Sequence, residues 1–112
     1  MIGIKKLSRL LCTFLLICGA AHAQTYPAKP VTVVVPFPPG GSSDVIARLL
    51  NAKLTDAFKQ NFLTDNRPGA GTLIGTTYVA KAAPDGYTLL LADVPFTVNP
   101  TVIASANYDP VR

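Results

Sequence analysis

Val31-Thr32-Val33-Val34-Val35-Pro36-Phe37-Pro38-Pro39-Gly40-Gly41-Ser42-Ser43-Asp44 decides how this chain folds. An apolar, mostly β-branched run stops at prolines. Two glycines follow, then hydroxyls, an acid and a helical pattern. The unbroken run Val31 to Val35 is typical of a strand buried on both faces of a parallel sheet. Gly40 and Gly41 free the backbone for a tight turn and let a ligand approach with no Cβ in the way. Ser42 or Ser43 can cap the helix that follows, and Asp44 suits its positive end. Val45, Ile46, Leu49, Leu50, Leu54 and Phe58 then recur at helical spacing, with Arg48, Asn51, Lys53, Asp56 and Lys59 largely between them, an amphipathic helix. Such a junction leaves backbone N–H groups converging on one spot with the helix dipole behind them, a seat for an anion and above all a carboxylate. The plainer alternative is a strand-to-helix connection capped by serine. No Gly-Lys-Ser/Thr follows, which excludes a nucleotide phosphate loop.

Further along, Asn61 to Asp65 reads as a short second strand. Asn66-Arg67-Pro68-Gly69-Ala70-Gly71 is a turn of permissive residues. Thr72 to Ala83 is helix-like, with Leu73, Ile74, Tyr78, Val79 and Ala82 as its inner side, and Pro84-Asp85-Gly86 ends it. Tyr87 to Ala92 is a third strand and Asp93 to Pro100 a loop. Thr101 to Ala106 fits no single element, and Asn107-Tyr108-Asp109-Pro110 is another turn. The order βαβαβ implies an α/β fold, a parallel sheet with flanking helices.

Upstream of these elements, Lys5, Lys6 and Arg9 precede an almost wholly apolar stretch from Leu10 to Ala21, and Ala21-His22-Ala23 carries small residues at the cleavage positions. This is the three-part pattern of a secretory signal peptide over residues 1–23, with periplasmic delivery as its consequence. An uncleaved anchor is the alternative, but the apolar stretch is short of the roughly 20 residues a spanning helix needs, so no stable membrane insertion is expected after cleavage. The mature chain of 89 residues, 24–112, carries seven Lys and Arg against six Asp, a net +1 instead of the +4 of the whole sequence. The charges are scattered, so nucleic-acid binding through a basic patch has no support. Cys12, Cys18 and His22 all leave with the signal. The mature chain then has no thiolate, no disulfide and no cysteine or histidine ligand, and no cofactor or metal is expected.

Three places remain for chemistry. The Gly40-Gly41 turn, with Ser42 and Ser43, lies at the carboxyl end of the first strand, where ligands bind in α/β sheets. Gly69-Ala70-Gly71 with Thr72 lies ahead of the next helix and offers a second anion-facing turn or a simple loop. It misses the dinucleotide fingerprint because Gly75 comes one place late. Asp93 follows the third strand and should reach the same edge, to meet a ligand ammonium or to point to water. Arg48 reads as a surface charge and Arg67 as a residue that holds its own loop. Phe37 and Phe96 either wall a pocket or join the core.

With these segments in order the chain resembles the periplasmic solute-binding receptors of tripartite tricarboxylate transporters, the Bug receptors. The matching pieces are the signal peptide, Tyr26-Pro27-x-Lys29-Pro30, Pro36-Phe37-x-Pro39-Gly40-Gly41-x-x-Asp44 with Ala47-Arg48, Asn66-Arg67-Pro68-Gly69-Ala70-Gly71, Ala80-Lys81-Ala82-x-Pro84-Asp85-Gly86-Tyr87-Thr88-Leu89, Asn99-Pro100 and Tyr108-Asp109-Pro110-Val111. The resemblance implies a two-lobed α/β binding protein that closes on a small organic carboxylate without catalysis and delivers it to membrane transporter subunits. It carries the ligand role onto Phe37, Gly40, Gly41, Ser42, Ser43 and Asp44, and less directly onto Gly71, Thr72 and Asp93. It also implies that residues 24–112 form an incomplete first lobe. Lys59 departs from the pattern, standing where a glycine commonly ends the first helix. Two other functions remain to be weighed: a truncated product without binding activity of its own, and a small hydrolase using Ser42 or Ser43, which would lack a histidine base.

Overall fold

The computed structural model describes residues 25–110, so the signal segment 1–23 lies outside the described residues. Three strands, β1 (Val31–Val35), β2 (Phe62–Asn66) and β3 (Thr88–Leu90), form one sheet in the order β2-β1-β3. Both pairings are parallel, Val31 opposite Phe62 through Val35 opposite Asn66, and Thr32 opposite Thr88 through Val34 opposite Leu90. The helices are α1 (Ser42–Phe58), α2 (Leu73–Ala80) and α3 (Val94–Val102), with a short 3₁₀ turn over Ala70–Thr72 ahead of α2. The expected α/β architecture is therefore present, with strand boundaries within a residue or two of those read from the sequence.

The valine run occupies the central strand. Val33 and Val34 point to opposite faces of the sheet, and both are buried, as are Val31 and Val35. Full burial of a valine stabilises by roughly 1.5–3 kcal/mol, so four in one short strand make β1 the keel of the domain. Phe62 from β2 joins Val31 and Val33, with Leu54, Tyr87 and Leu91 packed against them.

Three expectations are corrected. First, α1 turns only Ala47 and Leu54 of its apolar residues inward, and most of the apolar positions read from the sequence face solvent. Asp44, Ala47 and Asn51 are its buried positions, whereas Val45, Ile46, Leu49, Leu50 and Phe58 are all exposed. The sheet-facing side is tied down by hydrogen bonds: Asn51 Nδ2 donates to Thr64 Oγ1 at 2.9 Å, and the Phe62 amide donates to Thr55 Oγ1 at 3.0 Å. Periodicity located the helix, but it could not say which face meets the sheet. Second, α2 stops at Ala80 and buries Gly75 and Thr76, not Ile74 and Tyr78, which stand exposed. A Cβ on Gly75 would lie 2.9 Å from the Arg67 carbonyl oxygen and 2.9 Å from Pro36 Cβ. Only a glycine lets this helix approach the end of β1 so closely. Third, the loop expected over Asp93 to Pro100 is helical. Asp93 caps α3, its Oδ1 accepting from the Val94 amide at 2.7 Å, and Pro95 occupies the first turn, where a missing N–H costs nothing.

Lys59 ends α1 in the left-handed conformation, φ 55° and ψ 26°, its amide donating to the Thr55 carbonyl at 3.0 Å. This is the backbone state for which glycine is preferred.

Candidate functional site

The carboxyl ends of the three strands set the site. Beyond β1 the chain passes through Phe37, turns at Gly40 with φ +85°, and enters α1. Gly41, extended at φ −77° and ψ 172°, is the N-cap, and neither Ser42 nor Ser43 takes the capping place expected of them. Both serines lie inside the first turn. The Gly41 carbonyl accepts from the Val45 amide at 3.0 Å. Among the described residues, the amides of Gly41, Ser42, Ser43 and Asp44 have no protein acceptor. These are the orphan donors of a helix start, and Gly41 and Ser42 are open to solvent.

Asp44 has a different part. Its carboxylate is turned inward, only 3% of the residue being exposed, and it organises the turn. Oδ2 accepts from the Gly40 amide at 2.8 Å and from Arg48 Nε at 3.0 Å. Oδ1 accepts from Asn66 Nδ2 at 3.0 Å. The Asn66 amide also reaches the Phe37 carbonyl at 3.2 Å, and Arg48 Nη2 donates to Asn66 Oδ1 at 3.3 Å. Asp44 thus behaves like the third-position acid of a capping box, reaching back one residue beyond the cap. The hydrogen bonds from Arg48, Gly40 and Asn66 hold its carboxyl down at about 2. Its charge is paired with Arg48. Arg48 is a surface charge, as read from the sequence, its side chain 56% exposed, and it also pairs with Asp44 one turn back along the helix.

The second turn is built from left-handed residues. Gly69, Ala70, Gly71 and Thr72 have φ of +122°, +48°, +62° and +80°. For Ala70 and Thr72 this conformation costs roughly 1–2 kcal/mol each. The Thr72 amide donates to the Gly69 carbonyl at 3.0 Å. Asn99 of α3 holds the turn from outside, its buried Nδ2 donating to the Gly71 carbonyl at 2.6 Å and to Thr72 Oγ1 at 3.2 Å. Thr72 is therefore an acceptor within the protein and does not cap α2 with its side chain.

Phe37, Thr72 and Asp93 come together. With Pro36, Thr76, Leu90 and Phe96 they line a narrow cleft between the ends of β1 and β3 and the starts of α2 and α3. Gly40, Gly41, Ser42 and Ser43 continue the loop from Phe37, outside that cleft. Arg67 faces away, with Nε on Asp65 Oδ2 at 2.7 Å and its guanidinium 3.6 Å from the centre of the Tyr78 ring. Sequence reasoning missed Asn66 and Asn99 as organisers. The signal for Asn99 was available in Asp93-x-Pro95, which marks a helix start and so puts Asn99 on a structured element.

Residues 46–112 match the family model described as tripartite tricarboxylate transporter family receptor. The chain belongs to this family. Protein BugT of Bordetella pertussis is 48% identical over 94 residues, which cover 82% of this chain and 29% of BugT. The structure of MatC from Rhodopseudomonas palustris with bound malate superposes with a TM-score of 0.72 at 37% identity, covering 76% of this chain and 29% of MatC. A second R. palustris protein, Rpa4515 with adipate, has a TM-score of 0.72 at 40% identity over 77% of this chain and 29% of its own. The chain thus spans less than a third of the length of these relatives.

Proposed function

We propose that this chain acts as the carboxylate-holding part of a periplasmic solute-binding receptor, with residues 24–112 as part of a first lobe and residues 1–23 as its export signal. The small organic acid is held at the start of α1 by the amides of Gly41, Ser42 and Ser43, and is passed to membrane transporter subunits without chemical change. One observation carries this reading. Those amides are unpartnered among the described residues, Gly41 and Ser42 are exposed and Ser43 half-buried, while the one carboxylate beside them, Asp44, is folded inward and paired with Arg48. Three amides and a helix dipole suit one carboxylate group. Phe37, Gly40 and Asp44 shape the turn, while Gly71, Thr72 and Asp93 bound the neighbouring cleft. The relatives crystallised with malate and adipate support the ligand class.

The test is isothermal titration of the 112-residue chain with malate and with adipate, beside the Gly41→Pro variant, which removes one amide donor. Binding that weakens in the variant supports the reading. Absence of heat with both acids refutes it.

A further inference from the structure

The sheet order β2-β1-β3 leaves one side of β2 without a strand partner among the described residues. The ladder to β1 decides which groups that frees. The Val31 amide donates to the Asn61 carbonyl and the Arg67 amide to the Val35 carbonyl, both at 2.9 Å. With Val31 opposite Phe62 and Val35 opposite Asn66, the backbone of Leu63 and Asp65 is bonded to β1, and that of Phe62, Thr64 and Asn66 points outward. Thr55 Oγ1 accepts from the Phe62 amide at 3.0 Å. The Phe62 carbonyl, the Thr64 amide and carbonyl and the Asn66 amide are left as an open edge. Phe62–Asn66 holds no lysine or proline to blunt it.

Helix α1 overhangs this edge. Thr55 reaches an outward-facing amide, so the helix stands over β2 and not inboard of it. Between the two runs an open groove of about 610 Å³. Arg48, Ala52 and Asp56, four residues apart on one stripe of α1, form its wall, and Phe62 and Thr64 form its base. Its two ends differ in charge. Asp44 meets Asn66 at the end of β2 and Thr55 meets Phe62 at its start, so α1 runs against β2. Arg48 therefore stands towards Asn66, and Asp56 towards Phe62. Along the helix these two are about 12 Å apart. Two side chains on one face of a strand, four residues apart, are separated by about 13 Å.

We propose that this groove docks an extended segment of a partner protein, added antiparallel to β2, with an acidic and a basic side chain four residues apart and a small apolar one midway. Main-chain hydrogen bonds to the open edge hold the segment, and alternate side chains read the wall. The acid comes first in the segment and meets Arg48, whose bonds to Asp44 and Asn66 leave guanidinium donors free. The apolar side chain lies against Ala52, and the base meets Asp56. A second copy of this chain does not fit the same edge. It would bring its own helix over its own β2, about 4.8 Å away, where packed helices need about 8–10 Å. The groove runs along the side of α1 and not at its start, so this inference stands apart from the carboxylate reading.

The probe is the capped peptide Thr-Glu-Thr-Val-Thr-Lys-Thr, titrated into the isotope-labelled 112-residue chain and followed by amide shifts and hydrogen exchange. The Thr64 and Asn66 amides should shift and exchange more slowly as the peptide binds. Asp56→Lys, a change at an exposed position, should weaken binding roughly fivefold, and a peptide with Glu in place of its Lys should recover that loss. No amide shift at millimolar peptide, shifts confined to β3, or an affinity that Asp56→Lys leaves unchanged overturns the proposal. So does protection of Thr64 that grows with protein concentration alone, since a second copy then occupies the edge.

Discussion

Replacing Gly75 by alanine tests the packing that sets the cleft. The new Cβ would stand 2.9 Å from Pro36 Cβ, 3.1 Å from Pro36 Cα and 2.9 Å from the Arg67 carbonyl oxygen. Carbon atoms rest at about 3.5–4.0 Å, so the methyl intrudes on two backbone-anchored neighbours at once. Neither can rotate away: Pro36 is a ring at the end of β1, and the Arg67 amide is bonded to the Val35 carbonyl at 2.9 Å. Inserting a carbon into such a contact costs roughly 1–3 kcal/mol. Alanine returns about 0.5–1 kcal/mol through its better helix propensity. The net is a loss of about 1.5 kcal/mol, or a fall of roughly 6–12 °C in midpoint for a domain of this size. Urea unfolding followed by far-ultraviolet circular dichroism gives the free energy and, through its slope, a check that the transition stays two-state. Gly40→Ala is the matched control, because its Cβ meets nothing within 4 Å and the penalty comes from φ +85° alone. A Gly75→Ala protein as stable as the parent would refute the claim that close approach, and not flexibility, places glycine there.

Further outcomes follow from the same geometry. Lys59→Gly should stabilise by about 1 kcal/mol in thermal melts, because Lys59 holds a left-handed conformation at φ 55°. Asn99→Ala should destabilise by about 1–3 kcal/mol, leaving the Gly71 carbonyl and Thr72 hydroxyl without their donor, and amide hydrogen exchange should quicken in the 69–72 turn first. The Asp44 carboxyl is lowered to about 2 from an ordinary 3.8, so its contribution to stability is complete above pH 4 and fades as the pH falls towards 2. An acid titration by circular dichroism should show that loss in the parent and not in Asp44→Asn, whose stability should be lower at neutral pH and flatter with pH.

Much of this architecture was legible because it rests on strong local signals. Val31 to Val35 read as a strand buried on both faces, and Gly40-Gly41 ahead of an amphipathic run as a turn into a helix; that the strand is the central one came from the sheet order. The less legible parts depended on partners distant in sequence. Whether α1 shows the sheet its apolar or its polar side was settled by Thr64 and Asn66 on β2, which hydrogen-bond to Asn51 and Asp44. No period-counting over residues 42–58 contains those two residues. The helix over Val94–Val102 was obscured by Pro95 and Pro100, which read as breakers, although a proline in the first turn favours a helix start. At the candidate site the turn itself was readable from its glycines. The inward role of Asp44 was not, since a carboxylate near a helix start can equally cap or greet solvent until Arg48 and Asn66 are placed beside it.

Helix α1 has one more consequence. Apart from Ala47 and Leu54, which pack inward, its apolar residues form a ridge facing solvent, and the rest of its hold on the sheet comes from polar groups bonded to β2. Leu49 and Ile46, 66% and 59% exposed, are the crest of that ridge. An exposed apolar ridge of this kind favours association, so light scattering of the isolated chain against concentration is expected to rise before any loss of helical signal.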